Sequence, residues 1–261
     1  MRRNRRSPER LVAVGRSAIG WPYVRLLRRT AATLRRLGSV PERPRSTYRQ
    51  LAADALRRIT PVLERGWALG VTEIQAAVNE YRDRVGMADR DDIAIPDHYW
   101  QWYRSMLDAT LDAYGDRVER WIERTTIEAA NEGWTAEHHA SVLRSRVEGM
   151  TMRQAETVAR TEINRLFNHG AYAEMAFEPS IVAYAYFTIV DDRTSEYCRP
   201  LDGRIVPKHP PPVVPPLHPN CRTALLPVFE GEYDQPGAAG SRPITAPGYG
   251  APPPVRREAV T

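Results

Sequence analysis

The chain has 261 residues, is 42% apolar, holds 22 prolines and carries a net charge of +5. That length allows one large domain or two small ones with a sizeable core, and no uninterrupted apolar run is long enough to cross a bilayer. Two cysteines do not make a disulfide-stapled secreted scaffold. Arg10 and Arg16 interrupt the apolar stretch that a secretory signal would need, so the expectation is an intracellular protein.

The first fifty residues contain fourteen arginines and two glutamates, a net +12, which leaves −7 for the remainder. Such a terminus is either a solvated tail or an arm that meets polyanions, nucleic acid above all. Within it, "WPYVRLLRRTAATLRRLG" predicts a helix with Pro22 at its first position and Gly38 as its stop. Helical spacing puts Tyr23, Leu26, Leu27, Thr30, Ala31, Leu34 and Leu37 on one side and Arg25, Arg28, Arg29, Arg35 and Arg36 on the other. The apolar side needs a partner: its own core, another subunit or a membrane surface. "VPERPRS", residues 40–46, reads as a linker, so residues 1–46 form the expected arm.

A helical body is expected over 47–180. Thr47 and Gln50 stand at capping-box spacing before Leu51, Leu56, Ile59 and Leu63, with Pro61 expected to kink or divide the segment. A second helix is expected over 71–86, a loop at "RDDIAIP" and a long helix from Asp97 carrying Trp100, Tyr103, Leu107, Leu111, Tyr114, Val118, Trp121 and Ile122 as core. Thr135 and Thr151 are expected to cap two further helices, and His98, His138, His139 and His169 lie without metal-type spacing, as surface or satisfied core histidines.

After Pro179 the texture becomes β-branched and aromatic. Strands are expected at about 182–190, at "RIV" (204–206) and at "RTALLPVF" (222–229), separated by a turn, "DDRTSEYCRPLDG", and by a proline-rich loop that can form neither helix nor inner strand. The fold class is therefore α+β: a mostly helical body followed by a small antiparallel β lobe, 181–230, with a Cys/His-containing proline-rich loop. Residues 231–261, with Arg256 and Arg257, are expected to be a disordered Pro/Gly-rich tail.

Both cysteines fall in that lobe. Cys198, His218 and Cys221 offer two thiolates and an imidazole, ligand types that zinc takes in tetrahedral groups of four. Asp191, Asp202 or His209 could supply the fourth. A Cys198–Cys221 disulfide and a metal-free lobe held by hydrogen bonds are the other readings. No catalytic set is apparent: the zinc-deaminase signature and the phosphate-binding glycine loops are absent. In the "ARTE" segment Arg160 and Glu162 point to different helix faces, so at least one of Arg160, Glu162 and Asn164 is expected to reach the β lobe. Asp191, Arg193, Asn220 and Arg222 are expected to bond loop backbone there, drawing "LHPNCR" onto the "DDRTSEYC" turn as a structural clasp.

Three blocks in order, "ARTEINRLFNHG" (159–170), "DDRTSEYCRPLDG" (191–203) and "PPLHPNCRT" (215–223), together resemble the Mu F-like phage head morphogenesis family, also called minor head or minor capsid proteins. The resemblance covers roughly residues 120–228. It adds Thr194 and Gly203 to the clasp, as the Thr of the family's D-x-R-T turn and the Gly that closes it. Many relatives continue "HPNCRC", where this chain has Thr223. The family implies a non-enzymatic virion component, present in multiple copies in the capsid interior or at the portal vertex and in the host cytoplasm during assembly. Its implied partners are the portal protein, other head proteins and packaged DNA without sequence preference, and it assists head assembly, DNA packaging or delivery. No cofactor is certain, zinc being the candidate, and no membrane is expected. Two alternatives stay open: a metal-dependent nuclease or toxin-like hydrolase using the Cys/His lobe, and a membrane-surface protein using the basic helix.

Overall fold

The computed structural model describes residues 6–41, 43, 45–86 and 97–231, with backbone alone at 6–9 and 45. The expected "RDDIAIP" loop and the tail from residue 232 lie outside them. The protein is α+β: α1 (Arg6–Leu37), α2 (Arg45–Val85), α3 (Asp97–Asn131), α4 (Ala136–Val142), a π-helical turn (Leu143–Val147), α5 (Glu148–Ala176), then β1 (Ile181–Thr188), β2 (Ile205–Pro207) and β3 (Thr223–Phe229). The chain divides into two compact units, 1–62 with 103–159 and 63–102 with 160–261, and α2, α3 and α5 each contribute to both.

The first unit is helical. Its α1 begins well before Pro22, because the apolar stripe extends upstream through Val12 and Ile19, both buried. Pro22 therefore sits inside the helix, where it removes one backbone donor. Of the seven residues expected on the apolar face, six are buried and Leu37 is 62% exposed at the helix end. Tyr23 meets Tyr114 of α3 edge-on, 4.7 Å between ring centres. Tyr114 donates to the Thr151 carbonyl at 3.0 Å. Gly20 lets α1 approach α5 closely, since a Cβ there would stand 2.5 Å from the Met152 sulfur.

Two expected breaks are not breaks. Arg45–Val85 is one continuous helix containing Pro61, since residues on both sides of the proline bury the same stripe (Ile59, Val62, Leu63, Trp67). It starts two residues before Thr47. Thr135 is the cap of α4, its hydroxyl accepting from the His138 amide at 3.2 Å. Thr151 is not a cap: it lies inside α5 and its hydroxyl donates back to the Val147 carbonyl at 2.8 Å, four residues earlier. In α3 the buried stripe is Tyr99, Tyr103, Leu107, Leu111, Tyr114, Val118 and Ile122; Trp100 and Trp121 are only partly covered. His138 is exposed, and His139 and His169 are buried.

In the second unit the sheet order is β2-β1-β3, antiparallel throughout, with Tyr184 opposite Val206 on one side and Pro227 on the other. Pro227 is tolerated because β3 is an edge strand. The strands differ from expectation by a residue or two at their ends, as terminal pairing allows. The sheet buries Tyr184, Tyr186, Leu225 and Phe229 against Ile74, Ala77 and Val78 of α2 and Ala171 and Met175 of α5, and Cys198, Leu201, Leu217 and Cys221 belong to the same apolar cluster. Tyr81 stacks on Phe229 with 4.4 Å between ring centres.

Candidate functional site: a Cys/His clasp on the ARTE helix

The site is built on one face of α5. Thr161, Asn164 and Asn168 follow one another at spacings of three and four, so they line one side of the helix. Each one bonds the loop-to-strand segment at residues 220–225. The Thr161 hydroxyl accepts from the Asn220 amide at 3.0 Å. Asn164 donates to the carbonyls of Cys221 at 3.0 Å and Thr223 at 3.3 Å. The side-chain oxygen of Asn168 accepts from the Leu225 amide at 3.0 Å while its nitrogen reaches the Thr223 carbonyl at 3.2 Å. Backbone groups at the entry to β3 that no strand satisfies are thus satisfied by helix side chains. Asn220 takes the left-handed conformation, φ 60°, which asparagine tolerates.

Among the three expected bridging residues, Asn164 makes the link. Glu162 pairs with Arg165 on its own helix at 3.0 Å, both side chains 3% exposed. Arg160 is half-buried. Thr161 and Asn168 were not singled out from the sequence, although the spacing T-x-x-N-x-x-x-N after "AR" carries the signal.

The "DDRT" turn is closed by its own side chains. Thr194 accepts from the Asp191 amide at 2.7 Å and donates to the Ile189 carbonyl at 2.7 Å. Asp191 accepts from the Arg193 amide at 2.8 Å, and Arg222 grips its carboxylate with two hydrogen bonds, 2.7 and 2.5 Å. Arg222 above all, then the Arg193 amide, holds the Asp191 carboxyl well below the usual range despite partial desolvation. Asp191 thereby ties the turn to the residue after Cys221. The Arg193 guanidinium is 79% exposed and stands 3.7 Å from the same carboxylate. Gly203 has φ 75° and its amide donates to the Tyr186 carbonyl at 2.9 Å, so the turn re-enters the sheet through a left-handed glycine. Asp202 accepts from the Thr188 amide at 2.8 Å, and Tyr186 donates to the Val213 carbonyl at 2.7 Å, pinning the proline loop.

These ties bring Cys198, His218 and Cys221 together. The two sulfurs are 3.8 Å apart and unbonded, and the Cys198 sulfur lies 3.0 Å from His218 Nε2. Both cysteines are buried and the histidine is half-buried. His218 Nδ1 is 2.7 Å from the Pro219 carbonyl. A carbonyl only accepts, so the proton is on Nδ1 and the Nε2 lone pair faces the sulfurs and the Ser195 hydroxyl, 2.8 Å away. The two thiols are in hydrogen-bonding contact and shift in opposite directions. Hydrogen bonding from Cys198 lowers the Cys221 thiol, helped by the Leu217 and Thr223 backbone and the Thr223 hydroxyl. The Cys198 thiol is raised by the same contact and by burial. Asp191 does not join the three: its carboxylate is occupied by Arg222. Neither Asp202 nor His209, both exposed, belongs to the group of possible ligands among the described residues.

The five arginines expected to form a nucleic-acid face lie on the exposed side of α1. Arg28 bonds both Glu148 oxygens, at 2.7 and 3.2 Å, Arg35 pairs with Glu137 at 3.0 Å and Arg25 stands 3.7 Å from Asp54. Arg29 and Arg36 have no acidic partner among the described residues. The helix is not a loose arm, since its apolar side is spent in the core of the first unit. No helix among the described residues is long and apolar enough to cross a membrane.

Residues 120–226 match the family model described as Phage Mu protein F like protein. The match spans all three motif blocks and bears out the resemblance drawn from them. No curated protein and no solved structure matches the chain.

Proposed function

We propose that the protein is a phage head morphogenesis protein: a virion component that docks at the portal vertex and assists head assembly and the packaging or delivery of DNA. The observation that carries this reading is the Mu F-like match over residues 120–226, within which the three motif blocks serve one purpose. The "ARTE" helix supplies Thr161, Asn164 and Asn168, the "DDRT" turn supplies Asp191, and "HPNCR" supplies the groups they hold. Motifs spent on holding a small lobe in place support a protein whose job is to present that lobe.

The same geometry bears on the enzyme alternative. A cysteine nucleophile works as an exposed thiolate beside a base. Here Cys198, the thiol next to His218, is 2% exposed and raised in pKa, so the pair is poorly set up as a cysteine nucleophile and its base. The exposed arginines of α1 fit a compartment filled with DNA, where they would neutralise backbone without reading sequence.

The test is co-expression with a phage portal protein from the same source, followed by co-purification. A stable complex is expected from the full chain. Deleting residues 1–46 is a poor control, because it removes Ile19, Tyr23, Val24 and Leu27 from a core in which each is fully buried. Substituting exposed arginines is the sound one. Failure of the intact, folded chain to associate with the portal would sink the proposal.

A further inference from the structure

We infer that Cys198, His218 and Cys221 form a zinc site, with two thiolates and the Nε2 of His218 as ligands and the fourth position on the side of the Ser195 hydroxyl. The inference is independent of the head-protein reading, because it rests on geometry alone.

Four observations carry it. The donor atoms all lie within 4.8 Å of one another. Tetrahedral zinc with Zn–S bonds of about 2.3 Å places two sulfurs about 3.8 Å apart, and the observed separation is 3.8 Å. Zinc-bound histidines donate their other ring N–H to a carbonyl or carboxylate, which fixes the ring and the tautomer; His218 has that arrangement, with Nδ1 at 2.7 Å from the Pro219 carbonyl and Nε2 facing the sulfurs. Finally, the ligands come from two separate loop segments whose backbone is already held, Cys198 by the Ser195 hydroxyl on its amide at 3.1 Å and Cys221 by Asn164 on its carbonyl at 3.0 Å. Seating the metal requires the Cys198–His218 separation to open from 3.0 Å to about 3.6 Å, the sulfur–nitrogen distance of tetrahedral zinc.

Binding is a balanced exchange: zinc enters as the dication, the protons of the two thiols leave to solvent, and no electrons move. The Ser195 hydroxyl, which now bonds Nε2 at 2.8 Å, gives up that contact and either takes the fourth position itself or bonds a water there. The site then does what a small lobe with few backbone ladders needs, joining the turn at 195–201 to the loop at 217–223. A ligand set of three leaves the site weaker than a closed four-ligand site, and Thr223, the residue next but one to Cys221, is where a further thiolate would go. Its hydroxyl bonds the Thr188 hydroxyl at 3.1 Å and lies near enough to both thiols to favour their ionised forms.

The test uses the full chain, purified under reducing conditions without chelator or nickel resin. Metal analysis should find one zinc per chain, and zinc added to chelator-stripped protein should raise its melting temperature. Cobalt(II) added to the stripped protein should give the thiolate charge-transfer band and the intense visible bands of a tetrahedral ion. Cys198→Ser with Cys221→Ser, and His218→Gln, should lose these bands. Because the cysteines lie in the core, these variants could unfold. Thr223→Cys is therefore the decisive arm: it keeps all three ligands, adds a thiolate and should tighten zinc binding by tenfold or more in competition with a chelator. Three outcomes overturn the inference: no zinc together with no cobalt–thiolate band in the folded wild-type chain, zinc retained undiminished by the folded double-serine variant, or a Cys198–Cys221 disulfide in the reduced preparation.

Discussion

Asn168 illustrates how much one side chain does here. It is fully buried, its oxygen accepts from the Leu225 amide and its nitrogen reaches the Thr223 carbonyl as well as the Asn164 carbonyl one turn back. Removing it strands the Leu225 N–H in an apolar cluster, whereas removing Asn164, which is half-buried, costs the Cys221 carbonyl its bond but leaves the Thr223 carbonyl still bonded to Asn168. A buried group left unpaired costs about 1–3 kcal/mol. Asn168→Ala is therefore expected to lower unfolding stability by that amount and Asn164→Ala by less, measured by denaturant titration. An Asn168→Ala change inside the ±0.5 kcal/mol or so of an ordinary surface substitution would show that the asparagine does not hold the strand. The sequence announced Asn164; Asn168, four residues on and so on the same helix face, is legible only when the motif is read with helical spacing rather than as a string.

At the scale of elements, α2 and α5 cross at glycines. A Cβ on Gly170 would sit 2.5 Å from the Trp67 carbonyl, and one on Gly70 would overlap the Phe167 carbonyl. Backbone cannot yield as a flexible side chain can, so Gly70→Ala, though it favours helix, is expected to destabilise by about 1–3 kcal/mol or more through overpacking. Gly66→Ala, where the nearest atom would be 3.4 Å away, is the matched control and should be close to neutral. A stabilised Gly70→Ala variant would refute the close crossing.

His169, next to Gly170 on the same helix, packs against Tyr99 and Trp102 with ring centres 5.5 and 6.5 Å away. Burial, then the charge of Arg165, pushes it down to about 3. The unfolded chain takes up a proton near pH 6.5 and the folded chain does not until about pH 3. Stability from this group is therefore intact above pH 6.5 and falls as pH drops between those values, by at most about 1.4 kcal/mol per pH unit. His169→Phe should flatten that part of the stability–pH curve; an unchanged slope would place the proton uptake elsewhere. Such burial was not legible in the sequence, where periodicity alone marked the helix. The two interior prolines misled in the other direction: Pro22 and Pro61 each look like boundaries, but buried stripes on both sides of them bind the helix across the lost donor.

For the whole molecule the charge distribution sets the remaining expectation. The +12 of the first fifty residues overstates what is free to meet a polyanion. Arg28 is held by Glu148 through two hydrogen bonds and Arg35 pairs with Glu137, while Arg29 and Arg36 face solvent with no acidic partner among the described residues. Each phosphate neutralised on duplex DNA adds about 0.9 to the slope of log affinity against log salt. If α1 lies on DNA, Arg29→Gln with Arg36→Gln should lower that slope by up to about 1.8. Arg28→Gln should lower it by clearly less than the 0.9 or so of a full contact, because its guanidinium exchanges one anion for another. All three positions are exposed, so these substitutions leave the buried face of α1 in place and the readout separates DNA contact from folding. Equal effects from Arg28 and from Arg29 would mean that the pair with Glu148 opens at no cost, as exposed ion pairs worth roughly 0–1 kcal/mol can. No effect from any of them would move the DNA contact off α1, leaving the helix as a packing element whose arginines serve the first unit's own acidic residues.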